Sequence, residues 1–145
     1  MPLRELFEGP KKTVIRHGEL LTSIWVPTPP PGSASAFARI GRRAGFCLSV
    51  VNCAAYVERD DSKLGAIRIA LGSVAPTPIF ISGVEKLAGR KMTEGLVEDA
   101  GRICSEASEP VDDLRGTAEY RREMSAVLAR RTLREAWRRT GGEQP

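Results

Sequence analysis

The chain is poor in the residues that carry chemistry on their own. It has one histidine, His17, and three cysteines, Cys47, Cys53 and Cys104, in 145 residues. Structural zinc and iron–sulfur ligation need clustered thiolates or imidazoles, so no metal site is expected within it. One histidine in a polar turn, with no paired acid or nucleophile, leaves no catalytic residue to assign. Gly-rich phosphate cradles of the GxGxxG and GxxxxGK[ST] types are absent, which removes two common nucleotide-binding designs. No apolar run approaches the ~20 residues needed to cross a bilayer, and MPLRELFEGPKK lacks the apolar middle of a signal peptide. A cytoplasmic protein without membrane contact is therefore expected. The net charge of +4 is too small to argue for nucleic acid.

What is present suffices for one domain with its own core, since 41 % of 145 residues are hydrophobic. The organising stretch is 112–139, DDLRGTAEYRREMSAVLARRTLREAWRR. Arg115-Gly116 closes a turn, Thr117 caps a helix, and no Pro or Gly follows until its end. Tyr120, Met124, Val127, Leu128, Ala136 and Trp137 recur at steps of three and four, the spacing of a buried stripe. Between them stand Arg121, Arg122, Arg130, Arg131, Arg134, Arg138 and Arg139. That arginine face reads either as a solvated face with ion pairs or as a surface for an anionic partner. Asp112-Asp113 cap the turn and favour the positive end of the helix.

Leu3, Leu6 and Phe7 suggest a short amphipathic turn or helix ended by Gly9-Pro10. Residues 19–26 alternate as a strand, and PTPPPG after them is a stiff surface connection. Residues 35–40 form a second strand. Residues 47–58 and 64–74 form a hairpin joined by the polar 59–63, with Ile67, Ile69 and Leu71 on one face. On a single strand Cys47 and Cys53 would stand about 20 Å apart, too far for a disulfide, so reduced thiols are expected. Pro76 and Pro78 end the ladder. Ser82 to Glu85 reads as a capping box opening a short helix, and Thr93 caps another that carries Leu96, Ala100, Ile103, Cys104 and Ala107. Gly95 and Gly101 weaken that helix by up to ~1 kcal/mol each. Read from the residues alone, the chain is a mixed domain of strands and helices. Residues 1–140 make the domain and 141–145 a fraying tail.

One loop is a candidate binding element. In RIGRRAGF, residues 39–46, glycines flank paired arginines between two strands. Such a loop is either a charged tip in water or an arginine pair facing an anionic or electron-rich group.

Three runs carry a family resemblance. GELLTSIWVP (18–27), ALGSVAPTPI (70–79) and PVDDLRGTAEYRREMSAVLARRTL (110–133) resemble the closing half of the FAD-carrying medium subunit of the carbon monoxide dehydrogenase and xanthine dehydrogenase family of molybdenum hydroxylases. The leader, Leu3 through Pro10, is similar to the family's LREFFxGP. The resemblance implies an α+β domain, an antiparallel three- to four-stranded sheet packed against helices, in which the loop after the second strand approaches a flavin ring. Arg42 and Arg43 match the paired basic residues there, Arg39 sits near a commonly basic position, and Phe46 stands where many members carry Asp. Arg39, Arg42, Arg43 and Phe46 are thereby the candidate cofactor-binding residues. The implied cofactor is FAD, held with an N-terminal FAD-binding half or a partner chain that supplies the missing pyrophosphate contacts, and not tightly by this chain alone. The implied partners are a molybdopterin-binding large subunit, an iron–sulfur small subunit and that FAD-binding half if encoded separately, with a homodimer as a further candidate and no nucleic acid. The implied role is a non-catalytic component of an oxidoreductase that covers the flavin and docks partner subunits. The competing reading is a stand-alone interaction module without redox activity. Titrating the isolated chain into FAD, followed by flavin fluorescence, should show binding weaker than about micromolar, within the span of affinities that weak sites occupy.

Overall fold

A computed structural model describes residues 1–43, 45 and 47–143. Two short strands, β1 (Phe7–Gly9) and β2 (Lys12–Thr13), pair as a small hairpin after a 3-10 turn at Leu3–Glu5. The main sheet is antiparallel, with strands β3 (Ser33–Gly41), β4 (Ser49–Asp60), β5 (Lys63–Gly72) and β6 (Ile79–Phe80) side by side in chain order. Two helices follow, α1 (Glu94–Glu106) and α2 (Ala118–Arg139). This is the α+β arrangement, with an antiparallel sheet and helices, that the family resemblance implies.

The sheet has a covered face and an open one because its strands alternate. Val51, Cys53, Ala55 and Val57 of β4, with Ile67, Ile69 and Leu71 of β5, are all buried. Leu96, Val97, Ala100 and Cys104 of α1 and Leu128, Ala129, Leu133, Ala136 and Trp137 of α2 join them in one core. Each fully buried Leu or Ile is worth about 1.5–3 kcal/mol against water. Thr93 and Thr117 cap the two helices through Leu96 N and Tyr120 N.

Several expectations need correction. Residues 19–26 form no strand; Leu20, Leu21, Ile24, Trp25 and Val26 are exposed, between 55 % and 87 %. Alternation alone does not make a strand without a neighbouring ladder, and the main sheet contains no partner for this segment. The expected strand from residue 47 begins at Ser49, past a register shift at Ile40/Gly41 that leaves Cys47 in the loop. The 82–85 box is half realised: the Glu85 carboxylate takes the Gly83 N–H, but Gly83 occupies the cap position and no Ser82 side-chain cap forms.

The stripe of α2 is rotated from the expected one. Tyr120 is exposed and Met124 and Val127 are half-buried, while Arg121, Ser125 and Thr132 are buried. The two buried hydroxyls each have an acceptor in the preceding turn. Ser125 Oγ donates to Arg121 O at 2.8 Å and Thr132 Oγ1 to Leu128 O at 2.8 Å. Hydroxyls that bond the preceding turn pass as core residues, which hides them from a hydropathy pattern. At the tail, Gly142 N and Trp137 Nε1 bond Trp137 O and Glu143 O.

The two helices touch at Gly101. A Cβ there would lie 2.9 Å from Arg130 Cγ and 3.2 Å from the backbone oxygen of Ala126. The helical weakness of Gly101 is therefore the condition for close packing. A Gly101→Val variant is expected to lose about 1–3 kcal/mol by overpacking, despite its higher helix propensity, and the midpoint of urea unfolding checks it.

Candidate functional site

On the open face of the sheet the outward positions of β3 are Ser35, Phe37 and Arg39, because Ala36, Ala38 and Ile40 turn inward. Phe37 stands opposite Ala54, which stands opposite Ala70, which stands opposite Phe80. Two exposed rings, 63 % and 65 % accessible, thus flank a floor of two methyl groups. Beside this row, Tyr56, Arg68, Ala70 and Phe80 line a cleft of about 510 Å³ with Pro27, Pro29 and Pro30. The Arg68 guanidinium sits 5.8 Å from the Tyr56 ring centre, within cation–π range.

The loop after β3 is tied to the rest of the chain. Arg39, still within β3, donates from Nη1 to Cys47 O at 3.0 Å. Arg42 Nη1 donates to Leu114 O at 2.9 Å. Arg43 is engaged within the chain as well. Phe46, the fourth candidate residue, lies outside the described residues. The structure therefore brings Arg39, Arg42 and Arg43 to one end of the domain.

That end includes a turn whose importance the sequence shows only as a motif. Asp113 and Gly116 exchange backbone hydrogen bonds of 3.2 Å. The Asp113 carboxylate accepts from Arg115 N, Nε and Nη2 and from Arg121 Nη2. The Arg115 and Arg121 guanidiniums hold its carboxyl well below the usual carboxylate range. Arg121 also donates to Ser73 O at 3.2 Å, where Ser73 has φ 67, a left-handed backbone rare for serine. Asp112 takes the Ala118 N–H at 2.5 Å and so caps the helix start.

Sequence reasoning missed Phe37, Arg115 and Leu114. Phe37 is the one aromatic in β3 and stands among small residues on its outward side, and that composition was its signal. Arg115 and Leu114 lie seventy residues from the loop, with no local cue to the contact.

The arginine face of α2 is largely neutralised. Arg130 pairs with Glu98 and Arg134 with Glu94, tying α2 to α1, and Arg138 and Arg139 share Glu135. Arg121 is not on that face at all, being buried. The ion-paired reading of the arginine run fits these contacts better than an open anion surface.

The sequence model of the CO dehydrogenase flavoprotein C-terminal domain matches residues 35–136. The chain belongs to this family. It is 31 % identical over 140 residues to the carbon monoxide dehydrogenase medium chain of Hydrogenophaga pseudoflava, covering 96 % of this chain and 48 % of that one. It is 30 % identical to the nicotine 6-hydroxylase medium subunit of Paenarthrobacter nicotinovorans, covering 94 % and 47 % respectively. The solved carbon monoxide dehydrogenase from Hydrogenophaga pseudoflava superposes with a TM-score of 0.87 at 31 % identity, over 94 % of this chain and 47 % of its own. The chain thus spans about half the length of the relatives it matches. Its likeness is to the C-terminal part of flavoprotein medium subunits, and the four-stranded sheet with two helices is that family's fold. No helix among the described residues is long and apolar enough to cross a membrane.

The three thiols differ by environment. The backbone of Arg43 and then the Arg39 guanidinium favour the thiolate, so Cys47 lies below its ordinary value despite some desolvation. Burial pushes Cys53 up to about 11 and Cys104 up to about 12. Iodoacetamide near neutral pH is therefore expected to alkylate Cys47 first, with Cys53 and Cys104 protected until the chain is unfolded; peptide mass mapping over time checks the order.

Proposed function

We propose that this chain is the flavin-covering C-terminal domain of a medium subunit in a molybdenum hydroxylase-type oxidoreductase. Residues 1–140 act in it as one unit. The observation that carries the reading is the family match across 35–136, joined to an exposed aromatic and an arginine loop at one end of the sheet. FAD, when bound, supplies the electron-accepting ring. Phe37 offers a flat apolar surface of the kind aromatic rings pack against, with Arg39 beside it and Arg42 and Arg43 beyond. Guanidinium groups suit the electron-rich edge of such a ring. Phe46 joins this set on the family pattern.

These residues fit the covering of a ring and not the whole grip on FAD. The chain has no Gly-rich turn among its motifs, and the relatives it matches are about twice as long. The pyrophosphate contacts come instead from a FAD-binding half. The apolar residues left in water from Leu20 to Val26 are suited to seat such a half. The further partners are a molybdopterin-binding large subunit and an iron–sulfur small subunit, in the cytoplasm. The assembly's substrate is set outside this chain.

A second reading draws on the same exposed strip. A row of apolar side chains next to an open sheet face also suits an interaction module without redox chemistry. Co-purification separates the two. Purifying the tagged chain from its source cells is expected to bring chains that carry molybdopterin and iron–sulfur centres, with flavin absorbance in the complex. A clean homodimer, or a partner without cofactors, would overturn the redox reading in favour of the module.

A further inference from the structure

We propose that the free edge of β3, with the flank of α2 beside it, takes an added antiparallel strand from a partner protein, an extended segment that is apolar at its start and acidic at its end. β3 closes one side of the main sheet and pairs only with β4 among the described residues. In an antiparallel pair, successive residues turn their N–H and C=O alternately towards the neighbour and away from it. Arg59 N donates to Gly32 O at 2.9 Å, across to β4. Ser33, Ser35, Phe37 and Arg39 therefore turn their backbone groups outward. The first two are met within the chain: Ser33 N donates to Pro30 O at 3.2 Å, and Ser35 O accepts from Arg139 Nη1 at 2.8 Å. The outward N–H and C=O of Phe37 and Arg39 have no such partner among the described residues. Unpaired groups on a nine-residue edge are a template for another strand.

Beside this edge α2 leaves a stripe uncovered. The helix runs antiparallel to β3. Leu114, in the turn before it, meets Arg42 past the end of β3, and Arg139 in its last turn meets Ser35 near the start. Arg130 and Arg134 turn to α1. Arg131 lies about 100° round from Arg130. With Glu135 and Arg139 at steps of four, it follows the flank that reaches β3. Val127, Met124 and Tyr120 continue from Arg131 towards the helix start at steps of four, three and four. Tyr120 is 41 % exposed and the other two are half-buried. An apolar stripe spaced for burial is thus left half open along an unpaired edge.

Charge selects the occupant. Arg131 has no ion pair among the described residues, and Arg138 and Arg139 share the one carboxylate of Glu135. Three guanidiniums against one carboxylate favour acidic side chains at this end of the flank. Met124 and Val127 favour apolar ones at the other. A second copy of β3 would match the edge, but it would place two such cationic excesses in one interface. In strand addition the main-chain bonds supply affinity and alternate side chains supply specificity. The strand that fits therefore lays apolar residues over Met124 and Val127 first, and acidic ones over Arg131 and Arg138 last. This inference concerns a strand edge, and it stands whether or not the chain covers a flavin.

The probe is the capped peptide VTVTETET, titrated into the full isotope-labelled chain and followed by amide resonances. The Phe37 and Arg39 amides are expected to shift saturably and to exchange more slowly with deuterium when the peptide is bound. A fully N-methylated copy keeps the charges but donates nothing from its backbone, and VTVTKTKT keeps the backbone and reverses the charge; neither should bind. Arg131→Glu should raise the peptide's Kd about tenfold and leave the unfolding midpoint unchanged. No saturable shift at millimolar peptide, equal binding of either control peptide, or unaltered binding by Arg131→Glu overturns the proposal. Protection of the same amides that rises with protein concentration, without peptide, also overturns it and assigns the edge to a second copy.

Discussion

A single buried guanidinium holds the functional end of this domain in register. Arg121 sits one turn into the long helix, and its side chain is only 3 % exposed. It reaches Ser73 O at the end of β5 and the carboxylate of Asp113 in the preceding turn. The end of β5, the turn and the helix that follows it are thereby pinned at one point. An unpaired charge at this depth would cost several kcal/mol, so the turn and the helix cannot separate without large loss. The turn in turn offers Leu114 O to Arg42. The position of the arginine loop thus depends on a contact it does not make.

The layers themselves are packed by size rather than by charge. Small residues let the backbone layers approach. Gly101 admits Arg130 and the carbonyl of Ala126, and a side chain at Gly72 would meet the Asn52 amide, with Oδ1 2.5 Å from the added Cβ. Asn52 therefore lies across Gly72 on the open face. The alanines of β3 bring that strand close to α2, where Arg139 bonds Ser35 O at 2.8 Å. Ion pairs between α1 and α2 then close the layer from outside. Exposed pairs of this kind contribute up to about 1 kcal/mol each, so they tune the contact and the apolar core makes it.

How far the sequence reveals this depends on the range of the interaction. The hairpin of β4 and β5, the Thr93 and Thr117 caps and the Asp112 turn are all readable, because each is written in residues a few positions apart. The buried face of α2 is not, because Arg121, Ser125 and Thr132 look like surface residues until their acceptors are known. The strand expected at 19–26 fails for the opposite reason. Its alternation is real, but a ladder needs a neighbour, and none among the described residues supplies one. At the candidate site, Arg39, Arg42 and Arg43 are found by loop composition and family pattern. Arg115 and Phe37 come into view only with the fold. One lines a cleft with Arg42 and Arg43, and the other shows its ring only once the inward positions of β3 are known.

Leu20 to Val26 carries a consequence for the life of the chain in a cell. Side chains of this kind in water are what holdase chaperones and self-association recognise. Nothing in the domain's own folding hides them, so unfolding free energy is a poor guide to how long a molecule survives. A molecule that keeps this strip in water is open to capture and self-association even while its core stays folded.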